Sequence, residues 1–327
     1  MKKLLLGIII SLFFIIFILL KFDFKAEFEK LSGNISYEYL IPIFITQVMG
    51  LVVFSYRWRS LLERKINLKH AISSSFIGYA ANMVLPARGG DLFRVYYSRN
   101  ETEVAYFNLL SKLFIEKVLD FIYVVISGSL AFFIINYTNP TGQNFTLFFV
   151  SGLILVGMFF SLYLLRFQNK FLQTILHTIF IKLKKEEFYN GHIQKHVIDL
   201  ETFLHFNKLF RLLILTFGSW IFYLSNYYFV SKMLGIELNF LELVFILFCG
   251  AMSLAVPSAP SGIGVFHAAI FSGFLLLGKN SSQGILYATA LHLLSFIIVT
   301  FIGLLFYIYW TYRRRHGFKK DKLQTGA

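Results

Sequence analysis

The sequence predicts an all-α polytopic integral membrane protein, with about six full transmembrane helices and two re-entrant helical hairpins set among them. Three observations carry this. Apolar residues make up 57% of the 327 positions and mean hydropathy is +0.67, while only 15% are charged and 40 are phenylalanine. No soluble core of this length buries so much apolar surface. The apolar residues gather in runs of roughly 20, the length that crosses a bilayer core. Two further stretches break the pattern with proline, glycine and polar residues, which an ordinary span has no use for.

In chain order, Leu4–Leu20 is apolar between Lys2–Lys3 and Lys21. No small-residue cleavage site follows it and further spans do, so it reads as a retained helix rather than a signal peptide. The other spans are Tyr39–Tyr56, Leu113–Ile135, Phe145–Leu165, Leu212–Val230 and Ile285–Trp310, the last long enough to tilt or protrude. The first interrupted stretch, 71–98, holds Ser73, Ser74, Ser75, Gly78 and Asn82, then Pro86, Gly89 and Gly90. The second, 241–277, is broken by Pro257-Ser-Ala-Pro260-Ser-Gly262-Ile-Gly264. Tyr56, Trp58, Tyr309 and Trp310 at span ends read as interface anchors, and Gly50, Gly128 and Gly303 as helix-packing positions.

Charge orients the spans. Arg57, Arg59, Arg64, Lys65 and Lys69 follow the second span against Glu63 alone. The loop 166–211 has twice as many basic as acidic residues, and the tail 311–327 is strongly basic. The segment 21–38 is slightly acidic and 136–144 carries no charge. The positive-inside rule then places both termini and the basic loops in the cytoplasm. That topology closes only if 71–98 and 241–277 each leave on the side they entered, the first dipping from the cytoplasm and the second from outside. Paired broken segments of this kind point to a site near the midplane. An inverted repeat and a pair of ordinary kinked spans are both compatible with the loose similarity between the two stretches.

Several function classes are excluded. The lone Cys249 permits no intrachain disulfide and no cysteine-based metal site. There is no phosphate-loop lysine motif, dinucleotide glycine fingerprint or His-Glu-x-x-His pair, so no cofactor and no metal are expected. The net charge of +14 flanks apolar spans rather than a soluble face, which fits anionic phospholipids and not nucleic acid.

Candidate chemistry lies in three places. In the first hairpin Arg88 precedes Gly89 and Gly90, and Asp91 and Arg94 are spaced to share a helix face. Glycine amides at a helix start beside arginines make a phosphate cradle; the alternative is that Arg88 and Arg94 mark the membrane edge while Asp91 caps the helix. At the start of the third long span, Glu116 and Asp120 share a face and need nearby cations. Lys117 is the natural partner of Asp120, with Arg88 or Arg94 supplying the rest; a plain interfacial ion pair is the other reading. In the second hairpin Pro260, Gly262, Gly264 and His267 are joined by His292 of the final span, as a proton or head-group site or as two ordinary hydrogen-bonding histidines.

These residues resemble a known family. Asn82–Arg94 is similar to the signature of the lysylphosphatidylglycerol synthase transmembrane, or flippase-like, family. Glu116-Lys-Val-Leu-Asp120 resembles its acidic-basic-x-x-Asp motif, and Pro260-Ser-Gly-Ile-Gly-Val-Phe266 its second glycine-proline motif. The resemblance runs along essentially the whole chain, 1–327, as one flippase-like transmembrane domain. It implies an inner-membrane protein that moves phospholipids or lipid-linked sugars between leaflets. No soluble aminoacyl-transferase domain like that of the fused members follows in this sequence, so it is not expected to make lysyl-lipid. It departs from the family at His267 and His292, where glutamate and arginine are expected. The resemblance and the residues together assign substrate binding to Asn82, Arg88, Gly89, Gly90, Asp91, Arg94, Pro260, Gly262, Gly264, His267 and His292. Charge balance or proton carriage falls to Glu116, Lys117 and Asp120, and no residue is assigned a catalytic role. Two rivals remain: an intramembrane transferase acting on a lipid phosphate, with Asp91 as its base, and a non-transporting scaffold for a cell-envelope synthesis enzyme.

Overall fold

A computed structural model describes residues 35–85, 88–138, 178, 181, 206–253 and 262–324. The expected spans Leu4–Leu20 and Phe145–Leu165, most of the 166–211 loop, and Pro86, Pro257 and Pro260 lie outside these residues. Among the described residues there is no strand, and the chain is an all-α polytopic membrane protein.

After a short 3-10 turn at Tyr37–Tyr39, the helices are α1 (Leu40–Leu61), α2 (Leu68–Val84), α3 (Gly89–Glu101), α4 (Tyr106–Thr138), α5 (Phe206–Met233), α6 (Phe240–Ser253), α7 (Val265–Leu276) and α8 (Ser281–Gln324). Among the described residues four segments are long and apolar enough to cross a bilayer: Tyr37–Leu61, Tyr106–Thr138, Asn207–Met233 and Ser281–Arg315. These are the four expected spans that fall within the described residues, extended by several residues at their ends. Helices α2, α3, α6 and α7 are only 12–17 residues long. At 1.5 Å per residue that is about 18–26 Å, short of the roughly 30 Å hydrocarbon core.

Local chemistry sets the helix ends. Asn67 caps α2 by accepting from the Lys69 amide. Asn239 and Glu242 form a reciprocal capping box at the start of α6, at 2.8 and 3.0 Å. Asn280 accepts from the Ser282 amide at the start of α8. Gly235 and Gly278 take positive φ and terminate α5 and α7, where the Ile236 and Lys279 amides return to the carbonyls of Ser231 and Phe274.

Both interrupted stretches fold as antiparallel hairpins whose arms meet side by side. Their bases lie at opposite ends of the bundle. The base of α2–α3 is tied to the far part of α8 through Glu101, which accepts from Trp310 Nε1 at 2.8 Å and lies 3.7 Å from Arg313. The base of α6–α7 is tied to the start of α8 by Lys279, 3.2 Å from Glu242 and bonded to the Glu237 carbonyl. Trp310, expected at the lipid interface, is instead buried against Tyr97 and Phe93, with its N–H satisfied by Glu101.

This order repeats. A long helix, a hairpin and a second long helix occur as α1/α2–α3/α4, and again, running the opposite way, as α5/α6–α7/α8. The packing follows the same exchange: α1 lies along α5, α2 packs on α8 as α6 packs on α4, and α3 meets α4 as α7 meets α8. Gly128 of α4 admits Phe248 of α6, and Gly303 of α8 admits Phe76 and Ala80 of α2, because a Cβ at either glycine would overlap those atoms. Among the described residues the order and packing of the helices follow the pattern of an inverted repeat.

Candidate functional site

The tip of the first hairpin carries charge into the interior. Asp91 is held by Lys117 at 3.2 Å, by Arg88 at 3.4 Å and by the side-chain amide of Asn82, whose Oδ1 accepts from the Asp91 amide in return. Arg88 itself adopts a left-handed backbone, φ +55°, at the turn into α3. One turn further, Arg94 donates to Glu116 at 2.6 Å, and both side chains are fully enclosed. The Arg94 guanidinium lies over the rings of Phe54 and Trp58, at 4.7 and 4.2 Å. These faces supply the attraction that lost water would have given.

A second buried pair lies beside the first. Arg57 grips the Asp120 carboxylate through both terminal nitrogens, at 2.6 and 2.8 Å, and also donates to Thr216. Trp220 Nε1 donates to the same carboxylate at 3.0 Å. The Arg57 guanidinium lies over Phe54, so this one ring serves two arginines. The expected Lys117–Asp120 pair is therefore replaced: Lys117 turns to Asp91, and Asp120 is taken by an arginine from another helix.

A cavity of about 800 Å³ runs from this cluster to the end of α6 and the start of α7. Arg88, Asp91, Lys117 and Asp120 line one part, while Tyr227, Gly250 and Phe266 line another. Most of the rest is apolar, along α4. Phe114 and Phe121 both line the cavity and are exposed, at 63% and 40%, so it opens sideways along that helix. Arg94 and Glu116 stand behind this wall rather than in it. The accessible cations are Arg88 and Lys117.

Gly90 does not present open backbone to the cavity. It is buried, and a Cβ there would overlap the Gly78 carbonyl and press on the Asn82 amide. The space that a phosphate cradle at the two glycines would use is, at Gly90, taken by the other arm of the hairpin; a Cβ at Gly89 would meet only the Leu85 side chain.

In the second hairpin Gly262 and Gly264 take positive φ, +74° and +87°, at the turn into α7. His267 and His292 stack with ring centroids 5.5 Å apart and planes 26° off parallel. Phe266 meets both rings edge-on and separates them from the cavity it lines. Nδ1 of each histidine is buried without a hydrogen-bond partner. The sequence-derived residues thus form two groups: Asn82 to Asp120 around the first hairpin, and the histidines behind the second.

Sequence reasoning missed Arg57, Phe54 and Trp58. Arg57 follows a span amid four other cations and reads as a topology marker, while Trp58 reads as an interface anchor. The available signal was periodicity: Gly50, Phe54, Arg57, Trp58 and Leu61 fall at helical spacing on one face. Among the described residues no group of three His, Cys, Asp or Glu side chains is placed to hold a metal.

Two opposed hairpins inside a helical bundle, with buried ion pairs around a laterally open cavity, define a polytopic membrane protein with an internal polar site. Residues 4–303 match the lysylphosphatidylglycerol synthase TM region. The chain belongs to that family. It is also similar to two proteins of Methanocaldococcus jannaschii. With the UPF0104 membrane protein MJ1595 it shares 24% identity over 319 residues, covering 90% of this chain and 91% of the relative. With the UPF0104 membrane protein MJ1078 it shares 27% over 239 residues, covering 69% and 93%.

Proposed function

We propose that this protein moves a lipid with an anionic head group between the leaflets of the cytoplasmic membrane. The head group enters the cavity between the hairpin tips while the acyl chains stay in the bilayer along α4. One observation carries the reading. Among the described residues the interior cluster sets four cations, Arg57, Arg88, Arg94 and Lys117, against three carboxylates, Asp91, Glu116 and Asp120. One positive charge is left over, on the side where Arg88 and Lys117 face the cavity. A buried uncompensated charge is costly, and a phosphodiester monoanion balances it. Phosphatidylglycerol-like or sugar-linked phosphodiester lipids meet that requirement, and the exposed Phe114 and Phe121 give their chains an apolar exit.

The orientation follows from charge: the base of the first hairpin, where Glu101 lies 3.7 Å from Arg313, faces the cytoplasm. Asp91 is engaged by Lys117, Arg88 and Asn82 at once, which favours a charge partner over the free base a transferase needs. The test is lipid transfer in proteoliposomes with fluorescent phosphatidylglycerol and phosphatidylcholine. Wild type is expected to move the anionic tracer faster, and Lys117→Ala, which neutralises the cluster, to lose that preference. Equal rates for both tracers in both proteins would contradict the reading.

A further inference from the structure

The inverted repeat places two different pairs in corresponding positions. In the first unit a residue on the second hairpin arm, Arg94 on α3, meets a residue on the following long helix, Glu116 on α4. In the second unit His267 on α7 meets His292 on α8. Each of these residues follows a phenylalanine just past the glycine turn, Phe93-Arg94 and Phe266-His267. Each pair stands one layer behind the cavity wall, the first behind Asp91 and Lys117, the second behind Phe266. The first pair carries fixed charges. The second has none unless it takes up a proton.

We infer that the His267–His292 pair is a proton-binding site that couples movement of the anionic lipid to a proton gradient. This rests on the head-group reading above and adds an energy source to it. Each ring has a buried Nδ1 with no partner, so neither a lone pair nor a proton on that nitrogen is committed to a hydrogen bond. Two imidazolium ions with centroids 5.5 Å apart would repel strongly, so the pair takes one proton, not two. No charged side chain among the described residues acts on either ring; the titratable group beyond Phe266 is Tyr227 on α5, whose hydroxyl and the Phe266 ring both crowd Gly250, with Tyr287 on α8 against Tyr227 and Cys249 on α6 against Gly273. Among the described residues, the charge of this half of the cavity is therefore set by that proton.

The two halves become electrostatically alike only in the protonated state. The first cluster holds one excess positive charge at all times, and the second acquires one when the histidines bind a proton. An anionic head group passing from the first tip to the second meets a matching charge only then. The species that crosses is a monoanion with one proton, which is neutral overall. The proton comes from and returns to water, no bond to the lipid is made or broken, and the cycle is symport.

The test is the same proteoliposome assay with a pH step across the membrane. One proton per lipid predicts that fluorescent phosphatidylglycerol accumulates about tenfold per pH unit in the leaflet facing the alkaline side, since one pH unit is worth a factor of ten in an equilibrium. The double variant His267→Arg/His292→Glu copies the fixed, net-neutral pair of the first unit and cannot gain the proton's charge; it is expected to lose both gradient-driven accumulation and most transfer, and accumulation equal to wild type would overturn the proton site. His267→Asn/His292→Asn, which removes both protonatable rings, serves the same purpose if the charged double variant fails to fold. Wild-type transfer that levels tracer whatever the gradient would overturn the proton site and leave the lipid reading standing. Wild-type protein that moves no tracer at any pH would overturn both.

Discussion

Arg57 on α1 and Asp120 on α4 form a two-pronged ion pair, 2.6 and 2.8 Å, with Arg57 fully buried, Trp220 donating to the carboxylate and Thr216 accepting from the guanidinium. Removing one partner strands the other's charge, at a cost of about 3–5 kcal/mol. Arg57→Met alone is expected to lower the unfolding midpoint in detergent sharply, whereas Arg57→Met/Asp120→Leu, which removes both charges, recovers most of the loss. A double variant as unstable as the single one would show that the pair does not act as a unit.

The hairpin closes on Gly90. A Cβ there overlaps the Gly78 carbonyl, whereas at Gly89 it meets only the Leu85 side chain at 3.1 Å. Gly90→Ala should therefore separate the arms, move Asp91 from Lys117 and abolish lipid transfer. Gly89→Ala should keep most of the activity. Parallel transfer assays decide it: comparable activity in the two variants contradicts the assignment of Gly90 to hairpin packing.

Just past the end of α1, Glu63 pairs at 2.9 Å with Lys208 at the start of α5, and that hydrogen bond holds the carboxyl below its ordinary pKa. Because the folded-state value lies below the unfolded one, the pair's contribution is complete above the unfolded pKa and is lost as pH falls through the folded one. Both side chains are substantially exposed, which limits the effect to roughly 0.2–1 kcal/mol. The stability difference between wild type and Glu63→Gln should be small at neutral pH and vanish in acid and at high salt. A difference that persists under both conditions would mean the pair is not its source.

Topology gives a further prediction. Asn280 lies at the end of the bundle that holds the base of the second hairpin, and Arg314 lies beyond the base of the first. In a Cys249→Ala background, a membrane-impermeant maleimide applied to intact cells should label Asn280→Cys and spare Arg314→Cys. The reverse pattern would invert the orientation.

Much of this was legible in the sequence, for identifiable reasons. Prolines, glycines and polar residues inside apolar runs mark backbone that cannot cross a bilayer as a plain helix, and both hairpins fall where those residues lie. The packing roles of Gly50, Gly128 and Gly303 follow from the same logic and from their contacts with Phe222, Phe248 and Phe76. What the sequence did not expose is which faces meet. Spacing favours Lys117 with Asp120 on one helix, but the structure brings Arg57 from 63 residues away. Trp58 and Trp310 lie near span ends like Tyr56 and Tyr309, yet the tryptophans are buried and the tyrosines exposed. Each indole N–H finds an internal acceptor, Ser98 or Glu101, that no periodicity reveals.

The most direct test of the central claim is native mass spectrometry of the purified protein, comparing wild type with Arg88→Ala and Lys117→Ala. One defined anionic lipid retained by the wild type and lost from both variants is the predicted result, since each substitution removes the excess positive charge beside the cavity. The same complement of bound lipids on all three proteins would contradict an anionic head-group site between the hairpin tips.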